Sequence, residues 1–320
     1  MSSFFCYIYI IKNIHNMLEL NKIHLCDCLD GLRQLDDNSI DLVITSPPYN
    51  LGNKISGKTA LFSSKVDYDT YSDNMKEDEY QQWQIEILNE IHRVLKEGGS
   101  LFYNHKVRSR DNVGILPSTW LLKSNLVFRQ LIIWDRKRAL NVNLSHFLPN
   151  TELIYWMTKG NKNVRFSRQR YINNGKIDSL NEVWSVNIDV KNEHPAPFPV
   201  ELVDRIIPSI LGTEEMIKEL GNITILDPFM GSGTTAISAE KHGCNWIGFE
   251  VSEKYKNIAE RRIKNELSVT YGENLFGYEM NEPDFSYEEM RFKRKEETRE
   301  KHYYRNKKNK QKEEIISPLI

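Results

Sequence analysis

Two short stretches carry residue types that could do chemistry. The first is residues 41–50, DLVITSPPYN, where an apolar run ends in a hydroxyl, two prolines and an aromatic ring. Proline lacks a backbone donor and fixes φ, so Pro47 and Pro48 cannot continue a central strand. The run from Asp41 to Thr45 therefore stops abruptly. It presents Ser46, Pro47, Pro48 and Tyr49 at its carboxyl end, the edge where open α/β sheets take their ligands. The second stretch, residues 223–235, reads ITILDPFMGSGTT. Gly231, Gly233 and Ala236 fit G-x-G-x-x-A after a strand and before a helix, and Glu250 ends the next strand, seventeen residues after Gly233. Such glycines let a ligand approach the backbone while the acid takes ribose hydroxyls, which is the layout of an adenosine-binding site. No lysine follows the glycines, which argues against a phosphate-cradling loop. Asp227-Pro228-Phe229 puts a carboxylate and a ring where a pyrophosphate would sit, which argues against a hydride-transfer dinucleotide enzyme.

The elements that must position these stretches follow from pattern. Residues 22–27 read as a strand, and Leu29, Leu32 and Leu35 have helical spacing over 28–35. Residues 53–65, rich in Gly, Ser and Lys, read as a loop, either one that closes over a ligand or a solvated one without that role. Residues 76–96 are the clearest helix, with Tyr80, Trp83, Ile87, Ile91, Val94 and Leu95 on one face and Gly98-Gly99 to stop it; Trp83 reads as core. A strand over 100–105 and a helix around 117–124 come next. Three prolines within 195–199 give an extended segment, and a helix starts at about Val200. Strand 223–227, helix 234–242, strand 245–251 and helix 253–267 complete a βαβα unit of the length a parallel sheet needs.

Composition bounds the rest. The chain has 320 residues, 40% hydrophobic, and a formal net charge of -1, so any nucleic-acid surface must be local. Cys26 and Cys28 are one residue apart with no Cys/His quartet, so neither a zinc site nor a disulfide framework is expected. Four cysteines of this kind suit packing in a reducing cytoplasm. The apolar run 4–11 is too short to span a bilayer. Globular patterning starts near Met17, so residues 1–16 are expected to be a leader, with translation from Met17 as one reading and an extra strand or a disordered leader as the other. Beyond 271 a polar, Lys/Arg-rich tail cannot make a core.

Between the two stretches the texture changes. Residues 128–137 and 151–160 read as strands, with Trp134, Tyr155, Trp156 and Tyr171 interleaved among basic residues. Arg136, Lys137, Arg138, Lys159, Arg165, Arg168 and Arg170 are candidates for phosphate or base contacts. Lys and Arg also blunt exposed strand edges, so charge alone does not decide.

The pair of motifs and their order resemble the beta group of S-adenosylmethionine-dependent DNA amino-methyltransferases. TSPPYN looks like that family's catalytic tetrapeptide, DPFMGSGTT like its cofactor motif, and His194-Pro195-Ala196-Pro197-Phe198-Pro199 like its segment just before the cofactor strand. The resemblance spans about 22–267. It implies a Rossmann-like α/β fold with a mostly parallel sheet, permuted motif order and an inserted recognition region. The methyltransferase domain would cover 17–270: a catalytic half to about 127, a target-recognition region over about 128–190 and a cofactor half over about 191–270, with 271–320 as the basic tail. It implies S-adenosyl-L-methionine as cofactor, with Asp227, Pro228, Phe229, Gly231 and Gly233 at its methionine part, Glu250 at its ribose, Asp27 facing its adenine, and His194, Pro197 and Phe198 closing the pocket. Double-stranded DNA is the implied partner, a cognate restriction endonuclease is compatible with it, and the chain would work in the cytoplasm as monomer or homodimer, with no membrane and no metal.

The implied chemistry suits the residue types. An exocyclic amino group is a poor nucleophile because its lone pair is drawn into the base ring. Hydrogen bonds from it to the Ser46 hydroxyl and the Pro47 carbonyl would free that lone pair for in-line attack, and Tyr49 would stack on a base flipped out of the duplex. No cysteine follows a proline, so the nucleophile of ring-carbon cytosine methylation is absent. Ser at the first motif position favours cytosine N4 over adenine N6. Methylation of RNA or of a protein amide, and a DNA-binding relative with a dead site, are the competing readings. The long basic insert argues against the protein amide, and the intact Ser46, Tyr49, Asp227 and glycines argue against the dead site.

Overall fold

A computed structural model describes residues 18–51, 73–110, 112–137, 147, 149–167, 172–173, 176–177, 181–189 and 198–271. The leader, the 53–65 loop, the tail beyond Tyr271, and Arg138, Arg168, Arg170, His194 and Pro197 lie outside them.

The run IDLVIT forms β2 (Ile40–Thr45), buried at every position. A strand buried on both faces needs helices on both, and its side chains divide accordingly. Leu42 and Ile44 join one core cluster, while Ile40 and Val43 join the other. β1 (Lys22–Leu25) and α1 (Cys28–Arg33) precede it, and α2 (Glu77–Val94), β3 (Leu95–His105) and a small hairpin of β4 (Arg108–Arg110) and β5 (Val113–Ile115) follow. α3 (Ser118–Leu121) leads to β6 (Val127–Asp135) and β7 (Thr151–Thr158), then to the short β8 (Ile172–Asn173), β9 (Lys176–Ile177) and β10 (Val183–Ser185). The last part holds α4 (Val200–Leu211), α5 (Glu214–Leu220), β11 (Thr224–Asp227), α6 (Thr234–Lys241), β12 (Asn245–Glu250) and α7 (Glu253–Tyr271).

Eight strands make one sheet in the order β1-β12-β11-β2-β3-β7-β6-β10. Only β7 runs against the others. α1, α2 and α3 cover one face; α4, α6 and α7 cover the other. From β2 the chain moves through α2 to β3, and from β11 it moves the opposite way through α6 to β12. β2 and β11 lie side by side, with Ile225 opposite Leu42 and Leu226 opposite Val43. Their junction is the topological switch point, so the two motifs of the sequence share one crevice at the carboxyl edge. Among the described residues no helix is long and apolar enough to cross a membrane.

One boundary differs from expectation. α2 ends before the glycines, because Leu95 already has extended backbone at ψ 139 and opens β3. Gly98 serves a different purpose. Its φ of +76 is in the left-handed region, and its missing Cβ lets the chain pass close to Asn163, whose carbonyl oxygen any added Cβ would strike.

Packing of α1 under the sheet edge is equally tight. A Cβ on Gly31 would lie 2.7 Å from three ring carbons of Phe249. Alanine is favoured over glycine in a helix by about 1 kcal/mol, but overpacking a core costs about 1–3 kcal/mol. Gly31→Ala should therefore lower stability in urea unfolding, whereas Gly114→Ala, with nothing within 4 Å, should stay within about 0.5 kcal/mol of the parent. Equal midpoints for the two variants would refute this account of the packing.

Candidate active site

The carboxyl ends of β1, β12, β11 and β2 surround a cavity of about 120 Å³. One water needs about 10–15 Å³ on this measure, so the space fits a ligand of many atoms. Its walls are mostly apolar: Pro47, Pro48, Trp83, Phe229, Phe249 and Tyr255. Asp27, Ser46, Glu250 and the Gly231 backbone supply polar groups.

On the glycine side the backbone is shaped for close approach. Gly231 and Gly233 have φ of 52 and 80, the left-handed region that only glycine enters freely. Gly233 starts α6, and a Cβ there would meet Ile263 and Ala259 at 3.1–3.2 Å. Glu250 faces this turn. Its Oε2 accepts the Gly231 N–H at 2.9 Å and its Oε1 the Ser252 N–H at 2.9 Å. Each oxygen keeps a lone pair for a hydroxyl in the cavity. Burial pushes the Glu250 carboxyl up from its ordinary value, against the pull of those donors. Asp27 caps α1 by accepting the Leu29 N–H at 2.8 Å and is otherwise exposed at the cavity wall. Phe198 is placed against α6, its carbonyl accepting the Thr234 hydroxyl at 3.1 Å.

Asp227 lies deeper than the sequence suggests. It is fully buried and does not line the cavity. Oδ1 accepts the Thr45 hydroxyl at 2.6 Å and the Phe229 N–H at 3.0 Å, and Oδ2 accepts the Thr235 hydroxyl at 2.7 Å. Thr45 ends β2 and Thr235 lies in the first turn of α6, so the carboxylate ties the two motifs together from beneath. Burial pushes its pKa up to about 6, against those three donors.

On the other side Ser46 is half-buried and Tyr49 is buried. The Tyr49 hydroxyl contacts Ser46 Oγ at 2.9 Å, Glu152 Oε2 at 2.9 Å and Asn104 Nδ2 at 2.8 Å. Its ring packs on His105 with centroids 4.4 Å apart, so an aromatic neighbour already occupies the ring expected to receive a base. The Tyr80 hydroxyl donates to the Pro48 carbonyl at 2.8 Å. That fixes the peptide after the expected amino acceptor, Pro47. Burial pushes His105 down to about 3, so this ring is neutral at physiological pH.

Several of these residues gave little sequence signal. Trp83, read as core, lines the cavity and meets Phe229 edge-on, with centroids 5.8 Å apart. Asn104 and Glu152 are polar side chains that border the runs 101–103 and 153–157, which is the only hint the sequence offers of them.

The basic candidates divide in two. Arg136 and Lys137 follow β6 at the carboxyl edge, the same edge as Ser46. Arg136 is already engaged, donating to Glu152 Oε1 at 3.0 Å and to the Pro149 carbonyl at 2.6 Å. Lys137 is exposed. Lys159 and Arg165 lie at the opposite edge, so the structure does not bring them together with Arg136 and Lys137. The cause is the direction of β7, which runs antiparallel and carries the chain away from the crevice. Lys159 pairs with Gly99, six residues before His105 on β3, or roughly 20 Å along the strand. Its ammonium is buried against Asn38 Oδ1 and the Arg93 carbonyl at the end of α2, where a cation complements the helix dipole. Arg165 lies 3.7 Å from Asp41, at the start of β2.

Comparison with known proteins agrees with this geometry. The family model described as DNA methylase matches residues 40–261. The type II methyltransferase M.BglII of Bacillus subtilis is 30% identical over 276 residues, covering 77% of this chain and 70% of that protein. M.BamHI of Bacillus amyloliquefaciens is 32% identical, covering 77% of this chain and 58% of its own length. Among solved structures, the PvuII DNA methyltransferase (cytosine-N4-specific) superposes with a TM-score of 0.58 at 17% identity, covering 79% of this chain and 93% of that one. M1.HpyAVI, solved as a SAM complex, superposes at 0.50 with 18% identity over 76% and 98%.

The raised Asp227 pKa makes a stability prediction. Between its ordinary value of 3.8 and about 6, the folded state holds a proton that the unfolded state has lost. Stability should therefore fall as pH rises through that interval, by roughly 3 kcal/mol at about 1.4 kcal/mol per pH unit. Asp227→Asn should remove this slope. Urea unfolding from pH 4 to 7 measures it, and parallel curves for the two proteins would show that Asp227 does not titrate in this way.

Proposed function

The chain belongs to the DNA methylase family, and from that premise we propose that it transfers the methyl group of S-adenosyl-L-methionine to the exocyclic amino group of a base in duplex DNA, with cytosine N4 favoured over adenine N6. The observation that carries the proposal is the meeting of Ser46 and Pro47 with Gly231 and Glu250 in one cavity, although about 185 residues separate the two motifs. The residues fit the cofactor. Glu250 offers lone pairs for ribose hydroxyls, the left-handed glycine turn admits a ligand close to the backbone, and Phe229, Phe249, Trp83 and Tyr255 form an apolar slot. Asp27 stands at the wall where an adenine would be recognised. Bound there, the cofactor supplies an electrophilic methyl on a sulfonium.

The chain's own part is to orient the nucleophile. Ser46 Oγ and the Pro47 carbonyl accept the two amino N–H groups, drawing the nitrogen toward tetrahedral geometry and freeing its lone pair. The prolines and the Tyr80 bond to Pro48 hold these acceptors still, so little rearrangement is needed in the transition state. The choice of cytosine rests on Ser46 at the first motif position.

Incubating the protein with methyl-labelled S-adenosylmethionine and unmethylated genomic duplex DNA, then digesting to nucleosides, tests both levels. Label in N4-methylcytosine is expected. Label in N6-methyladenine would overturn the base, and label only in RNA or protein would overturn the substrate. For the DNA surface, Lys137→Ala should make the slope of log affinity against log salt shallower by about 0.9, the contribution of one phosphate contact. Arg165→Ala, at the far edge, should leave the slope unchanged; the reverse result would put the DNA on the wrong side of the sheet.

A further inference from the structure

Proton counting around Tyr49 gives Glu152 a role. Glu152 stands near the start of β7, buried, at the carboxyl edge. Its Oε1 is paired with Arg136. Its Oε2 faces the Tyr49 hydroxyl and Asn104 Nδ2, each at 2.9 Å. Tyr49 has one proton and the carboxylate has none, so Tyr49 donates to Glu152. The Asn104 amide donates to the tyrosine oxygen at 2.8 Å. The remaining contact, Ser46 Oγ to Tyr49 at 2.9 Å, can then form only if Ser46 donates its proton. The direction of the whole chain is set by the carboxylate: Ser46 to Tyr49 to Glu152. Ser46 Oγ is left with lone pairs alone; Asn104 Nδ2 approaches one of them at 3.4 Å, and the oxygen can accept an amino N–H as well.

We propose that Glu152 is a positioning residue that fixes the polarity of this chain and takes up, through Tyr49 and Ser46, the proton that the target amino group releases. The proposal rests on the methyl transfer proposed above. As the nitrogen–carbon bond forms, the sulfonium carbon–sulfur bond breaks and its electron pair stays on sulfur. The nitrogen becomes positively charged and acidic. Its N–H bond to Ser46 then breaks, and an O–H bond forms on Ser46 as the Ser46 proton moves to Tyr49 and the Tyr49 proton moves to Glu152 Oε2. One proton leaves nitrogen and one arrives on the carboxylate; both hydroxyls end neutral. Arg136 stands on the other oxygen, so the acceptor is held in place.

Tyr49→Phe breaks the chain while keeping the ring, and Glu152→Gln removes the proton acceptor with little change of shape. Single-turnover transfer of labelled methyl to unmethylated genomic duplex DNA should slow by at least about 100-fold in each, the usual scale for a proton-transfer group. Affinities for S-adenosylmethionine and for duplex DNA should stay within about twofold of the parent, since Tyr49→Phe keeps the ring at the cavity wall and Glu152 does not line the cavity. The double variant should be no slower than the slower single one, because the two groups act as one unit. In the protein without DNA, a downfield Tyr49 hydroxyl resonance in proton NMR should be present, absent in Tyr49→Phe and shifted upfield in Glu152→Gln. A Tyr49→Phe rate within about threefold of the parent, multiplied losses in the double variant, or affinities that fall in step with the rate would each overturn the relay. Should Glu152→Gln not fold, Tyr49→Phe decides alone. Parent protein that moves no label onto DNA would overturn the proposed function and the relay with it; active parent with an active Tyr49→Phe overturns the relay only.

Discussion

A carboxylate with no access to solvent joins the two halves of the site. Asp227 sits at the end of β11 and holds the last residue of β2, the Phe229 amide and the first turn of α6. Without those three donors, burial of a carboxylate would cost several kcal/mol. With them it positions Ser46 and the glycine turn relative to each other, since Thr45 precedes the one and Thr235 follows the other. Parallel pairing alone would not do this. The β2–β11 ladder is short, with only Leu42 and Val43 in register with β11, and its ends would be free to splay.

This explains which parts of the molecule were legible in sequence. A strand that runs into two prolines, and a strand that runs into G-x-G, are local signals with local causes, and both stand at the predicted edge. The buried β2 was equally legible, since its run 42–44, covered on both faces, has no polar position to alternate with. What the sequence could not show is direction across the insert. Lys159 and Arg165 sit in the same basic-aromatic texture as Arg136, yet one antiparallel strand separates them by the height of the sheet. Trp83 fails for a related reason. Helical spacing puts it on the buried face of α2, and that face reaches past the core to the cavity, so periodicity cannot tell lining from filling.

Asn104 and Glu152 belong to a third kind of residue, whose meaning depends wholly on partners from elsewhere in the chain. Each is a buried polar side chain at the end of an apolar run of strand, and neither makes a motif. Asn104 Oδ1 has no hydrogen-bond partner among the described residues. Turning the amide over would not help, because the oxygen would then face the Glu152 carboxylate, acceptor against acceptor. The amide is held in an orientation that leaves one of its own atoms unsatisfied, at a cost of about 1–3 kcal/mol. Such a cost is stable only where the surroundings impose it, and here the imposing group is Glu152.

Charge at this edge shows why a basic texture is a poor measure of a polyanion surface. Arg108 gives two hydrogen bonds to Glu77 at 2.7 Å, Arg110 donates to the carbonyls of Asn50 and Met75, and Arg136 is divided between Glu152 and Pro149. Guanidinium groups bind in this planar, forked way and hold backbone in place as they do so. Lys106 extends over the Tyr49 ring, 5.8 Å from its centroid, and burial pushes its pKa down. The arginines nearest Ser46 and Tyr49 are thus committed to shaping the site, and each is matched by an acid or a carbonyl. A site neutralised pair by pair exerts little long-range pull on a phosphate backbone. It recognises what enters through directed hydrogen bonds at short range, and among those the acceptor orientation of Ser46, set by a carboxylate two hydrogen bonds away, is the most closely determined.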